Sequence, residues 1–131
     1  MDKKIFFSTR YNEVNVRNGP GTNHLIIYKI FQKGYPLVLL DEFDSWRKIV
    51  DFEGRTGWIS MSQLSYDRFG VINKSRVGLY MFPDKQQKKL AELGHNLTFE
   101  IIKCKVNWCK IKTRELVGWL EKESFWGNKE H

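Results

Sequence analysis

The chain reads as one pattern written twice. The first half runs Val14-Asn15-Val16-Arg17-Asn18-Gly19-Pro20-Gly21, then Ile30-Phe31-Gln32-Lys33-Gly34, then Ser45-Trp46-Arg47-Lys48-Ile49, and closes on Gly57-Trp58-Ile59. The second half answers in the same order with Val77-Gly78-Leu79-Tyr80-Met81-Phe82-Pro83-Asp84, Leu90-Ala91-Glu92-Leu93-Gly94, Asn107-Trp108-Cys109-Lys110-Ile111 and Gly118-Trp119-Leu120. The inner glycine lies 12 residues before the first tryptophan in one copy and 14 in the other, and the two tryptophans are 12 and 11 residues apart. A repeat of this kind forces the 131 residues to be divided between two similar units, each of about 60 residues, near the lower limit for an independent core. The predicted partition is 1–65 and 66–131.

Each unit is predicted to be built from short strands. Leu37-Val38-Leu39-Leu40 and Phe99-Glu100-Ile101-Ile102 have strand length, and Trp46–Val50 and Trp108–Ile111 alternate inward and outward residues. Phe52-Glu53-Gly54-Arg55 supplies a turn in which Gly54 can take positive φ. Gly34, Gly57, Gly94 and Gly118 are placed at strand starts, where a missing side chain permits a bend or a close approach. Gln86–Leu93 has some helical propensity but is short and stops at Gly94, so it is read as a loop running into a strand, with a single helical turn as the competing reading. Strands this closely spaced hide their edges best in small barrels. The fold class expected is therefore all-β, two small β-barrels in tandem. Val71 and Ile72, in the connector, predict a packed junction between them.

Composition limits the functions open to such a chain. Hydrophobic residues make up 41% and charged residues 28%, which suits a globular protein and not a disordered one. The longest undiluted apolar run, Pro36–Leu40, is far below the roughly 18 residues of a membrane-spanning helix. Met1–Phe7 has the lysines of a leader without its apolar stretch, so the chain is expected either in the cytoplasm or in the periplasm or cell envelope after removal of a leader. The net charge of +7 is uneven, with 9 Lys/Arg against 7 Asp/Glu in residues 1–65 and 13 against 8 in residues 66–131. Such a balance favours anionic partners, nucleic acid among them, although the lysines are scattered.

Reactive groups are few. His24, His95 and His131 lack metal-ligand spacing, so neither a metal nor any other cofactor is expected. Cys109 with His95 is a conceivable nucleophile pair, but Cys109 follows Trp108 in a strand and does not open a helix, which would lower the thiol pKa. No catalytic residue is assigned. Cys104 and Cys109 bracket the predicted hairpin tip Lys105-Val106-Asn107-Trp108. They either form a disulfide, which needs Cα atoms about 5.5 Å apart and an oxidising compartment, or pack reduced as small hydrophobes.

The order Val14–Gly21, inner Gly34, Trp46-x-Lys48-Ile49 and Gly54-x-x-Gly57-Trp58-Ile59 resembles the bacterial Src homology 3 (SH3) domain. The whole chain, over residues 9–127, is similar to tandem bacterial SH3-like proteins of the alphaproteobacterial type, with a complete first copy and a degenerate second. The second copy departs where Leu79–Asp84 replaces the Arg-Asn-Gly-Pro-Gly loop. The resemblance implies a non-catalytic module of the cell envelope that binds peptidoglycan peptide or glycan, or a protein tail. The alternatives are a basic nucleic-acid-binding barrel and a structural docking partner of another envelope protein. The candidate ligand-binding residues are Arg17, Asn18, Tyr35, Asp44, Trp46 and Trp58, aromatic and polar groups near predicted loops, with Tyr11, Tyr28 and Phe52 as further candidates. Each has an alternative role in packing, and Trp46 is the residue most suited to face a peptide groove.

Overall fold

In the computed structural model, residues 3–129 are described; the histidine His131 lies outside them, as does the beginning of the leader-like segment. The chain divides into two compact units, Met1–Asp67 and Arg68–His131. The first contains β1 (Phe6–Thr9), β2 (Val14–Arg17), β3 (Ile26–Ile30), β4 (Pro36–Phe43), β5 (Trp46–Val50), β6 (Thr56–Ser60) and β7 (Leu64–Ser65). The second contains β8 (Phe69–Val71), β9 (Arg76–Tyr80), β10 (Lys89–Gly94), β11 (Thr98–Lys105), β12 (Trp108–Lys112), β13 (Val117–Glu121) and β14 (Trp126–Gly127). A single 3-10 turn, Met61–Gln63 or Lys122–Ser124, precedes the last strand of each unit.

Each unit is one antiparallel seven-stranded sheet, and the strand orders correspond: β3-β2-β6-β5-β4-β1-β7 and β10-β9-β13-β12-β11-β8-β14. Alternation explains how such a sheet acquires a core. Along β2, Val14 and Val16 are fully buried while Asn15 and Arg17 face outward, and Val77 and Leu79 are buried in β9. Ile49 and Ile59 complete the first core, and Ile111 and Leu120 complete the second. The long strands β4 and β11 each serve two neighbours. β4 pairs with β1 through Pro36–Val38 and with β5 from Val38 to Phe43, with a bulge between Leu39 and Asp41; β11 has the matching bulge between Ile101 and Lys103. An extra residue at a bulge bends the strand and raises its twist, which lets one short sheet curl over its own apolar face into a barrel.

Phe69–Val71 is a strand paired with β11 and β14, and Val71 and Ile72 are both fully buried, Ile72 within the second core. Gly94 ends β10 and does not begin a strand. The structural counterpart of Gly34 is Asn96. Gly34 N–H donates to Thr9 O at 2.8 Å and Asn96 N–H donates to Ile72 O at 2.8 Å, with φ of 79° and 74°. Asn is among the few side chains that tolerate this left-handed conformation, so the glycine landmark moved while the backbone turn stayed. Residues 86–93 contain no helix, and a loop leads directly into β10.

The two cores are filled by different side chains at matching positions. Phe7 lies opposite Leu37, whereas Gly70 lies opposite Phe99. A Cβ at Gly70 would stand 2.7 Å from the Phe99 ring and 2.8 Å from the Phe125 ring, and those rings pack edge to face at 5.0 Å. The bulk missing at Gly70 is supplied by Phe99 on the facing strand and by Phe125 after the 3-10 turn.

Two-residue loops join the long strands, Asp44-Ser45 in the first unit and Val106-Asn107 in the second. The first loop residue takes φ of 50° at Asp44 and 46° at Val106. One pair behind each loop, the first unit sets Glu42 opposite Arg47, whose Nε lies 3.3 Å from the Glu42 carboxylate. The second sets Cys104 opposite Cys109, joined as a disulfide with Cα atoms 4.0 Å apart, near the close spacing of a non-hydrogen-bonded pair.

Two outcomes are expected. Gly70→Ala destabilises the second unit by about 1–3 kcal/mol through overpacking, read as a lower denaturant midpoint. Reducing the disulfide, which spans a sequence separation of 5, costs the second unit about 2 kcal/mol by loop-closure entropy, measured by denaturation with and without dithiothreitol; the first unit is the internal control.

Candidate functional site

A groove of about 270 Å³ lies on the outer surface of the first barrel, lined by Glu13, Asn15, Arg17, Thr22, Trp46, Ser60 and Gln63. Its geometry follows from strand pairing. Asn15 and Arg17 are alternate residues on the outward side of β2, and Trp46 faces Ser60 across β5 and β6. Gln63 comes from the 3-10 turn that follows. Trp46 is half-buried and offers an apolar surface among neutral and charged polar groups. The Asn15 Oδ1 is buried and accepts no hydrogen bond, a state that costs about 1–3 kcal/mol until a donor arrives.

Of the six ligand-binding candidates, the fold brings Arg17 and Trp46 to this groove and leaves Asn18, Tyr35, Asp44 and Trp58 off its lining. Arg17 is partly committed to the loop beside it: its Nη1 donates to Thr22 O at 3.2 Å and His24 O at 2.9 Å. Asn18 is exposed, and its backbone N–H donates to Leu25 O at 2.9 Å. The His24 ring packs against Gly19, where an added Cβ would meet it at 2.4 Å. Asp44 is a turn residue whose carbonyl accepts from Arg47 Nη1 at 2.8 Å. Trp58 is half-buried and pairs with Lys48 and Arg17. Glu13, Asn15, Thr22, Ser60 and Gln63 were not legible as liners, because outward polar residues on strands look the same whether they face solvent or a groove.

Tyr35 belongs to a different cluster. It is 3% exposed, with its ring 6.3 Å from Phe52. Nearby, the buried Asp51 carboxylate accepts from the Glu53 and Arg55 backbone N–H groups at 3.0 and 2.9 Å and from Arg55 Nε at 2.8 Å, fixing the turn that contains Gly54 at φ 85°. The Arg55 guanidinium lies 4.6 Å from the Tyr28 ring centroid. Burial, with the Asp51 carboxylate second, pushes the phenols of Tyr28 and Tyr35 up from 10.0 to about 12.

At the corresponding place the second barrel carries a packed ring. Tyr80 takes the place of Arg17, since Arg17 pairs with Trp58 and Tyr80 with Trp119. Its ring packs edge-on against Trp108 at 5.9 Å. Gly78 makes room for that ring, which would lie 2.8 Å from a Cβ there. Lys85 and Glu121 form an ion pair at 3.7 Å on the strand residue matching Ser60. Among the described residues, no group of three or more His, Cys, Asp or Glu side chains is gathered as a metal site, and no helix is long and apolar enough to cross a membrane.

Two seven-stranded barrels with matching strand order define a tandem small-barrel protein. The family described as "Bacterial SH3 domain" matches twice, over residues 10–65 and 73–127, and the chain belongs to that family. Solved structures similar to it include NlpC2 from Trichomonas vaginalis, with 14% identity and a TM-score of 0.43, covering 96% of this chain and 49% of that one. NlpC1 from the same organism gives 13% and 0.41, with coverage of 95% and 46%. An NlpC/P60 family protein from Bacillus cereus gives 15% and 0.41, with coverage of 95% and 57%. The chain thus spans about half the length of these proteins. No curated protein matches it.

The tyrosine cluster gives an alkaline signature. The neutral phenols are favoured in the folded state, so their contribution to stability is fully present below pH 10.0 and is lost as pH rises toward about 12. Ultraviolet titration is expected to show a late phenol ionisation near pH 12 from Tyr28 and Tyr35, and Tyr35→Phe to reduce its amplitude.

Proposed function

We propose that this protein is a non-catalytic binding module of the cell envelope, whose first barrel recognises a peptide or glycan segment of peptidoglycan, or a protein tail, in the groove between Arg17 and Trp46. The observation that carries this reading is the contrast between the barrels: one scaffold keeps an open, polar-rimmed cleft beside a tryptophan, and the other fills the same place with Tyr80. The chemistry of the lining narrows what fits. Trp46 supplies an apolar face, while Ser60, Thr22 and Gln63 offer neutral donors and acceptors suited to amides or hydroxyls. The unpartnered Asn15 Oδ1 favours a ligand with an N–H or O–H directed at the strand. Arg17 holds the loop that carries Thr22 to the groove.

Family membership supports a module that acts by binding, and the disulfide supports residence in an oxidising compartment such as the periplasm. The partition 1–65 and 66–131 gives the first domain the whole groove. Titration of labelled protein with muropeptides is expected to shift resonances of Asn15, Arg17, Trp46, Ser60 and Gln63. Trp46→Ala is expected to cost about 2 kcal/mol of binding, roughly 30-fold in Kd, with the amide spectrum of the barrel retained. Shifts confined to residues 68–129, or a folded Trp46→Ala variant that binds normally, would overturn the assignment.

A further inference from the structure

The outward face of β11, β12 and β13 carries a charge arrangement that fold stability does not explain. Directly opposed residues of neighbouring strands share a face, and here Lys103 opposes Lys110, which opposes Trp119. The adjacent rows on that face are Lys105–Trp108–Glu121 and Glu100–Lys112–Val117. Lys103, Lys105 and Lys112 are exposed and Lys110 is half-buried. Among the described residues none of the four has an acidic partner within ion-pair distance, and Glu121 is taken by Lys85 at 3.7 Å. Like charges directly opposite each other on a sheet are destabilising. The first barrel avoids this at the same place, where Asp41 opposes Lys48 and Phe43 opposes Trp46. In the second barrel both β4 residues have lysine counterparts, Lys103 and Lys105.

We propose that this face of the second barrel is a docking surface for a linear phosphate polyanion without bases. Lysines two residues apart along a strand stand about 7 Å apart and neighbouring strands about 5 Å apart, a spacing that lets successive phosphates of an extended chain each meet an ammonium group. The lysines are point charges on flexible stems, suited to phosphate without fixed geometry. The aromatic residues between them are not free to stack on bases. Trp119 is 8% exposed and has Lys105 Nζ 5.1 Å from its ring centroid, and Trp108 is held edge-on by Tyr80. Single-stranded nucleic acid binding relies on such open rings, so charge neutralisation alone is the chemistry on offer.

The test uses the full chain and long-chain inorganic polyphosphate. Binding is expected to weaken linearly in log K against log salt, with a slope of about −3 for four engaged lysines, and shifts should cluster at Lys103, Lys105, Lys110 and Lys112. Lys103→Asp, which restores the opposition seen in the first barrel, is expected to lower affinity about tenfold and the slope by about 1 while thermal stability stays equal or rises. Lys110→Gln serves as a second variant with the same direction. Variants that bind polyphosphate as the parent does, or binding insensitive to salt, would refute the surface. Single-stranded DNA binding more than tenfold tighter than polyphosphate would replace it with a nucleic-acid site.

Discussion

The bulge in the long strand of each barrel is the constraint on which the rest of the structure rests. A flat sheet of about 60 residues cannot bury its apolar side alone. The extra residue between Leu39 and Asp41, and between Ile101 and Lys103, turns the strand so that its first part pairs with β1 or β8 and its second with β5 or β12. The same irregularity places two successive residues outward, leaving Leu40 51% exposed and Ile102 43% exposed. It also decides that Asp41 and Lys103 face solvent and that Cys104 faces in. Curvature, core and surface charge are therefore set by one backbone step.

Much of this was legible in the residues. The tryptophan and valine landmarks gave the repeat and the all-β class, because period-two alternation is a direct record of which side of a strand is buried. The inner glycine misled at Gly94, since the left-handed turn is carried two residues later by Asn96, and a conformation is not tied to one residue type. The apolar Val71 and Ile72 announce burial, but that Ile72 belongs to the second core is visible only in the fold. In the site, Arg17 and Trp46 stood out by chemistry. Asn15, Ser60 and Gln63 did not, since their proximity arises from pairing between strands distant in sequence. Tyr35 shows the converse, a polar aromatic near a loop whose ring turned inward beside Phe52.

Comparison of the two barrels separates scaffold from site. Strand order, bulge, tryptophans and hairpin loops are common to both, while the groove residues and the outer charges differ. Replacement of Arg17 by Tyr80 and of Asn15 by Gly78 converts a polar cleft into a packed ring surface without moving the backbone landmarks. A duplicated fold can in this way hold its core chemistry constant while its two outer faces take up different roles.

The cross-strand position behind the hairpin loop is filled by Glu42 and Arg47 in one barrel and by Cys104 and Cys109 in the other. An ion pair loosens when salt rises or when the carboxylate takes up a proton, and a thiol reductant does nothing to it; a covalent bridge has the opposite vulnerabilities. A single chain thus carries two copies of one hairpin with unrelated modes of failure, and no one change of surroundings releases both.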